Sequence, residues 1–370
     1  MLSPETIQHG QHVLAVCNAC RYCEGFCPVF PAMENRLTFA KGDLAYLANL
    51  CHNCGECLYA CQYAPPHEFG IDVPRTLAEI RLGSYEEYCW PASLGGAFRQ
   101  HSLRTAAALV GGLSAGMAAL ALRSGADLWP TDPGGDFYRV VPHGVMVALF
   151  GLVGVFALLA LVVGCVRAVR AFDAPLAPDP SGPEQRAAQR PARLRGLWDA
   201  LTLRYLHGSG ADCTDAEEHR SPWRRRFHHC TSYGFLLCFA STSVAALYHG
   251  VFGWRAPYGY ASLPVVLGTL GGAGLLIGPA GLFVVRRRRD RALADPAQDG
   301  LDVSFILLLF MTSATGLLLL ALRGQPVMTL LLIVHLGFVL GLFLTMPYGK
   351  FVHGLYRTAA LMIDAQTPPR

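Results

Sequence analysis

Charge is scarce in this chain. Asp, Glu, Lys and Arg make up 15% of its 370 residues, while 52% are hydrophobic. Six long stretches contain none of the four: Thr105–Leu122, Val140–Val166, Cys230–Phe252, Ala261–Val285, Val303–Leu322 and Val327–Gly349. Each reaches the ~17–25 residues that cross the hydrocarbon core of a bilayer. Without carboxylates or ammonium groups inside them, a transporter or redox-driven ion pump is disfavoured, since ion pathways usually need such groups. The opening residues lack a basic n-region and an apolar h-region, so no secretory leader is expected and the N-terminal segment should stay in the cytoplasm. The net charge of +4 does not point to nucleic acid, because most arginines flank apolar stretches. That is a pattern of membrane orientation.

Cysteine, by contrast, is plentiful. Eight of 13 fall in two short runs, Cys17-Asn-Ala-Cys20-Arg-Tyr-Cys23-Glu-Gly-Phe-Cys27-Pro28 and Cys51-His-Asn-Cys54-Gly-Glu-Cys57-Leu-Tyr-Ala-Cys61. Both read C-x₂-C-x₂-C-x₃-C, and the first carries the trailing proline of the bacterial two-cluster pattern. Disulfides would compete with so dense a metal pattern. Zinc prefers two separated C-x₂-C pairs. The spacing therefore predicts two [4Fe–4S] clusters. Three close thiolates wrap one cluster and the fourth reaches the other, so Cys17, Cys20, Cys23 and Cys61 share one, and Cys51, Cys54, Cys57 and Cys27 share the second.

Between the runs, Leu44, Leu47 and Leu50 recur at helical spacing, with Asp43 expected as N-cap. The insert is longer and more helical than a minimal βαβ-type ferredoxin needs. The region resembles the α-helical ferredoxins of succinate dehydrogenase iron–sulfur subunits. His52 and His67 are read as solvated surface residues, and Cys89 as a plain thiol. The fold expected is mostly α: an α-helical two-cluster ferredoxin domain over 1–100, then a six-helix transmembrane bundle over 101–370 with a cytoplasmic linker at 167–227.

Arginine placement orients the bundle. The linkers after the second and fourth stretches hold Arg167, Arg170, Arg186, Arg190, Arg193, Arg195, Arg204, Arg220 and Arg224–Arg226, then Arg286–Arg289 and Arg291. The opposite loops hold only Arg123, Arg139, Arg255 and Arg323, with Asp127, Asp132 and Asp136 beside the first two. The positive-inside rule puts the cysteine runs and both termini in the cytoplasm, which for a bacterial chain means the inner membrane. Ala174–Arg193 is read as disordered, Leu197–His207 as a surface helix, and Pro222-Trp-Arg-Arg-Arg as a membrane-boundary anchor. Gly268, Gly271, Gly272, Gly274 and Gly278 are read as helix-packing residues.

In spans without other ionisable groups, histidine stands out. His143 opens the second stretch, His228 and His229 the third, and His249 lies near the far end of the third. His335 and His353 are 18 residues apart, five turns of one helix and ~27 Å along its axis. On antiparallel helices His249 should face His335 at one level, and His228 or His229 should face His353 at the other. That arrangement is one by which a bundle holds two b-type haems. His143 is the competing outer ligand, and His101, His207 and His219 are read as surface residues.

Several stretches carry a family resemblance: Cys51-His-Asn-Cys-Gly-Glu-Cys, Arg225-Arg-Phe-His-His-Cys-Thr-Ser-Tyr-Gly-Phe-Leu-Leu-Cys-Phe-Ala-Ser-Thr, Ala256-Pro-Tyr, Leu263-Pro-Val-Val-Leu-Gly-Thr, and Met346-Pro-Tyr-Gly-Lys-Phe-Val-His-Gly-Leu-Tyr-Arg. They resemble the tricarballylate (citrate) utilization protein B family over almost the whole chain. The membrane half is also similar in plan to the di-haem gamma subunit of respiratory nitrate reductase, a likeness of layout. The family resemblance implies a partner, a cytoplasmic FAD-dependent tricarballylate dehydrogenase that this protein would reoxidise. The expectation is therefore an electron-transfer protein, with no dehydrogenase site of its own, passing electrons through the clusters and haems to quinone in the lipid. Tyr233, Tyr248 and Tyr348 are quinone-site candidates. The alternatives are a cluster-only quinone-reducing anchor, and a cluster-bearing redox sensor, for which no output domain is legible.

Overall fold

The first helix begins where the sequence supplies its cap. Ser3 Oγ accepts from the Thr6 N–H at 3.0 Å and Pro4 sits in the first turn of α1 (Pro4–Cys20). Arg21, left-handed at φ 55°, ends it. The computed structural model describes residues 2–36, 38–131, 136–173, 190–207, 213–214, 219–293 and 295–366. Most of the stretch expected to be disordered, at 174–189, and the side chain of His207 lie outside the described residues.

Helices α2 (Val29–Glu34), α3 (Lys41–Leu50), α4 (Glu56–Tyr59) and α5 (Val73–Tyr88) complete the N-terminal part. The expected N-cap is corrected: α3 starts two residues before Asp43. Asp43 reaches back from the first turn to accept from the Ala40 N–H at 3.0 Å. Its other oxygen accepts from Arg36 Nε at 2.6 Å, and the pair is buried beneath the Tyr46 ring. A carboxylate inside the helix thus satisfies the amide that an upstream cap would otherwise take.

The remainder is α6 (Ala92–Gln100), α7 (Ser102–Arg123), α8 (His143–Asp173), α9 (Arg190–Leu201), α10 (Trp223–Gly250), α11 (Leu263–Arg287), α12 (Asp299–Ala321), α13 (Met328–Thr345) and α14 (Val352–Asp364). Six of these, α7, α8 and α10 to α13, are long and apolar enough to cross a membrane. Among the described residues the only strands are the antiparallel pairing of Cys213–Thr214 with Arg220–Ser221. The Leu197–His207 expectation becomes α9, ending at Leu201, and a 3₁₀ turn over Arg204–His207.

The glycines of α11 let α10 approach to backbone contact. A Cβ at Gly271 would stand 2.7 Å from Cys238 N, and one at Gly278 2.6 Å from Thr231 N. The sixth expected stretch is shorter than its apolar run. α13 stops at Thr345, Pro347 follows in the turn, and His353 belongs to a separate helix. The five-turn phase between His335 and His353 therefore does not hold.

The core of the N-terminal part continues into the bundle without a break. Tyr46 and Tyr88 flank Phe172 of α8 with ring centroids 6.2 and 6.0 Å away, and Tyr85 meets Tyr356 of α14 at 5.8 Å. These rings and Leu14, Leu44, Leu47 and Leu77 form one buried cluster. The contact lies at the end of the bundle where α8 and α11 finish and α10 and α12 begin, and there the arginine-rich segments gather. Asp302 and Lys350 pair at 2.9 Å in this junction, and Gln298 donates to the Ala78 carbonyl of α5.

Candidate metal centres

The cysteine runs fold into two adjacent hollows. α1 delivers Cys17 and Cys20, and the left-handed Arg21 turns the chain so that Cys23 follows on the same side. In the second run Asn53 at φ 59° and Gly55 at φ 94° curl the backbone tightly, positions that Asn and Gly tolerate best. A cavity of about 220 Å³ is lined by Cys17, Cys20, Cys23 and Cys61, and by Cys57, which also borders the second. A smaller one is lined by Cys51, Cys54, Cys57 and Cys27. The fourth cysteine of each run has crossed to the other hollow.

Thiols gathered this closely resist ionisation. Cys17 is pushed up to about 12 by burial and then by Cys61, Cys23 and Cys20. Cys23 is pushed up to about 11 by burial, then by Cys61 and Cys20. Burial likewise raises Cys27, helped by Cys51 and Cys54, and raises Cys57. Four thiolates around one hollow need positive charge between them, and a cationic cluster core would supply it. The donor set and the hollows suit such a body.

The second hollow is bounded by residues that sequence reading misplaced. His52, expected at the surface, is buried against it. Leu293 from the loop after α11 seals Gly55, and Asn53 Nδ2 donates to the Leu293 carbonyl at 3.0 Å. Arg224, read as a boundary anchor, donates to the His52 and Asn53 carbonyls, both at 2.8 Å. His67 meets the expectation better, resting on Tyr63 and Phe69. Cys89 is a buried thiol donating to the Glu86 carbonyl at 3.1 Å.

Of the membrane histidines, the structure brings together two pairs. His228 of α10 meets His353 of α14 with ring centroids 6.0 Å apart and planes 76° apart. His229 turns away and stacks on Tyr233. His353 Nδ1 lies on the Lys350 carbonyl, which can only accept, so Nδ1 carries the proton and Nε2 presents a lone pair. Burial and then the Lys350 charge hold this imidazole down at about 4, in the neutral form that ligates metal. His228 Nδ1 is likewise engaged, by Ser232 Oγ at 3.1 Å.

The second pair differs from expectation. At the opposite end His249 stacks on His143, centroids 4.0 Å apart, with Tyr138 edge-on to His143 and tilted against His249. His335 does not face His249. Its Nδ1 lies 3.1 Å from Thr315 Oγ1 of α12, whose own proton goes to the Met311 carbonyl. The reason is packing: α10 lies along α11, while α13 lies against α12 and α7. Tyr348 is spent on the Trp90 carbonyl, Tyr248 joins Trp254 and Tyr258, and Tyr233 bonds the Leu201 carbonyl. His101 and His219 are exposed.

Comparison with known proteins matches residues 10–87 to the model of the Citrate utilization protein B Fer4-like domain, and residues 100–368 to that of Citrate utilization protein B. Citrate utilization protein B of Escherichia coli is 49% identical over 354 residues, 95% of this chain and 90% of the relative. No solved structure matches the chain. With both family models matched and this relative covered almost throughout, the chain belongs to the Citrate utilization protein B family.

Proposed function

We propose that this protein is a bacterial inner-membrane electron conduit that reoxidises a cytoplasmic partner enzyme of citrate or tricarballylate utilization and delivers the electrons to quinone. The observation that carries this reading is the crossing of Cys61 and Cys27 into opposite hollows, which makes two adjacent four-thiol sites in a Fer4-like domain. Two [4Fe–4S] clusters bound there would supply one-electron carriers. Around the second site His52, Asn53 and Glu56 are buried, and Asn53 N–H donates to Cys51 Sγ at 3.3 Å. The domain boundaries near residue 100 accord with the two matched regions. The arginine-rich end faces the cytoplasm under the positive-inside rule, and that end carries the Fer4-like domain.

The partner is a FAD-dependent tricarballylate dehydrogenase on the family resemblance, and its reduced flavin is the donor. His228 and His353 suit a b-type haem, because each engages Nδ1 and leaves Nε2 for a metal. The outer pair first expected, His249 with His335, has no such support, and His143 and His249 stack too closely to admit a metal between their rings.

The test is a reduced-minus-oxidised spectrum of the purified protein beside its iron and sulfide content, with quinol formation followed on adding a chemically reduced flavin. About eight irons, a b-type α-band and quinone reduction are expected. Full cluster content and quinone reduction without the band would leave a cluster-only route, while absent clusters would sink the reading.

A further inference from the structure

The two thiol sites sit in unlike surroundings. The site of Cys17, Cys20, Cys23 and Cys61 opens to solvent: Cys20 is exposed and Tyr22 is 69% exposed beside it. Its nearby arginine, Arg21, is itself half exposed and lies 3.9 Å from the Glu34 carboxylate. The site of Cys51, Cys54, Cys57 and Cys27 is the more closed, with Cys54 only 8% exposed and Cys27, Cys51 and Cys57 half-buried.

Four arginines converge on the backbone of that closed loop. Arg81 donates to the carbonyls of Ala48 at 3.1 Å and Cys51 at 2.7 Å. Arg357 of α14 donates to Leu50 at 2.8 Å, and Arg224 of α10 holds His52 and Asn53. Arg289, from the end of α11, reaches Asn53 at 3.4 Å and Leu293 at 3.0 Å. Glu56 lines the same hollow, and Asp290 bonds Tyr59 one step away. Positive charge therefore outnumbers negative around the loop.

We propose that the open site is where electrons enter, and that the arginine-ringed site is where they leave for the membrane, its reduction potential raised by Arg81, Arg224, Arg289 and Arg357. This rests on the cluster reading above. Reduction adds one negative charge to an already anionic thiolate-bound body. Burial alone would oppose that charge and lower the potential of the closed site. Fixed guanidinium groups at the flanking carbonyls act the other way, and in a dry junction their field is weakly screened. The Asn53 N–H on Cys51 Sγ adds in the same sense.

The transfer is simple to balance. One electron leaves the open site, which is oxidised by one, and the closed site is reduced by one; no bond or proton moves. The reductant is the reduced flavin of the partner, giving its two electrons singly. Geometry continues the line beyond the closed site. Arg224 and His228 are four residues apart on α10, and Arg357 and His353 four apart on α14, so the helices that grip the loop present the paired imidazoles one turn on.

An EPR-monitored redox titration of the full chain in detergent tests this, with the two signals assigned through Cys20→Ser, which should remove the open-site signal. The higher potential is expected at the Cys51 site. Arg224→Gln and Arg357→Gln should each weaken electron uptake there about tenfold, a fall of ~59 mV for one electron, and leave the other signal in place. Arg357→Lys, which keeps the charge, should hold the potential near wild type and guards against misfolding as the cause. A higher potential at the Cys20 site, or glutamine variants that shift neither signal or both alike, would overturn the proposal. Wild-type protein without iron and sulfide would overturn the cluster reading with it, whereas full clusters with unmoved potentials would overturn this inference alone.

Discussion

His228 and His353 meet from two helices that are not neighbours in sequence, and each stands one turn beyond an arginine that holds the loop of Cys51 and Cys54. The junction is thus a single piece of architecture serving the Fer4-like domain and the bundle at once.

If that imidazole pair binds haem, His228→Ala and His353→Ala should each abolish the b-type α-band assigned to it and leave iron–sulfur content unchanged. His229→Ala, whose ring lies on Tyr233, should leave the band intact. Reduced-minus-oxidised spectra of the three purified variants decide it. An unaltered band in either of the first two would count against the pairing.

The crossed thiol sets make a second claim. Cys61→Ser should empty the open site despite lying in the second run, taking iron from about eight to about four per chain. Cys89→Ser, outside both hollows, should leave iron at wild-type level. Iron and labile-sulfide assays read the difference.

Asp364 accepts from the Tyr46 hydroxyl at 3.3 Å, where α14 docks beneath α3. Burial raises this carboxyl to about 6, against the pull of Tyr46, Arg36 and Arg195. Its folded pKa lies above the unfolded value of ~3.9, so the folded state binds the proton more tightly. The resulting stabilisation is full below about pH 4 and lost as pH rises through about 6, amounting to roughly 3 kcal/mol. Melting temperatures of wild type and Asp364→Asn between pH 4 and 8 should diverge over that window, the asparagine variant lacking this fall. Parallel curves would refute it.

The crossing of α10 and α11 leaves no room for side chains. A Cβ at Gly234 would stand 2.9 Å from the Gly271 carbonyl oxygen, a contact that backbone alone must relieve. Gly234→Ala should destabilise the detergent-solubilised protein by about 1–3 kcal/mol. Gly154→Ala, with open space around it, should melt like wild type.

Much of this was legible in the sequence where chemistry is local. Cysteine spacing predicted which thiols would share a hollow, because a short run admits few ways of wrapping a cluster. Apolar runs announced six spans, since a bilayer imposes length and composition together. Of the expected histidine pairings, His228 and His353 lie together, whereas the depth match of His335 with His353 assumed a continuous sixth helix, and α13 ends at Thr345 and packs against α12 and α7. The arginine ring was hidden, because Arg224 and Arg289 find carbonyls 171 and 236 residues away in the chain. Nothing local distinguishes such a residue from an ordinary membrane anchor.

The break after Thr345 also bears on assembly. All six spans are made before α14, yet α14 brings Arg357 to the closed thiol site, His353 to His228, and Tyr356 to the aromatic floor under α5. Every spanning helix therefore precedes, in the chain, the helix that makes these three contacts, and that helix is not itself one of the six. A product ending at Thr345 would keep all six spans and lose the Arg357, His353 and Tyr356 contacts together.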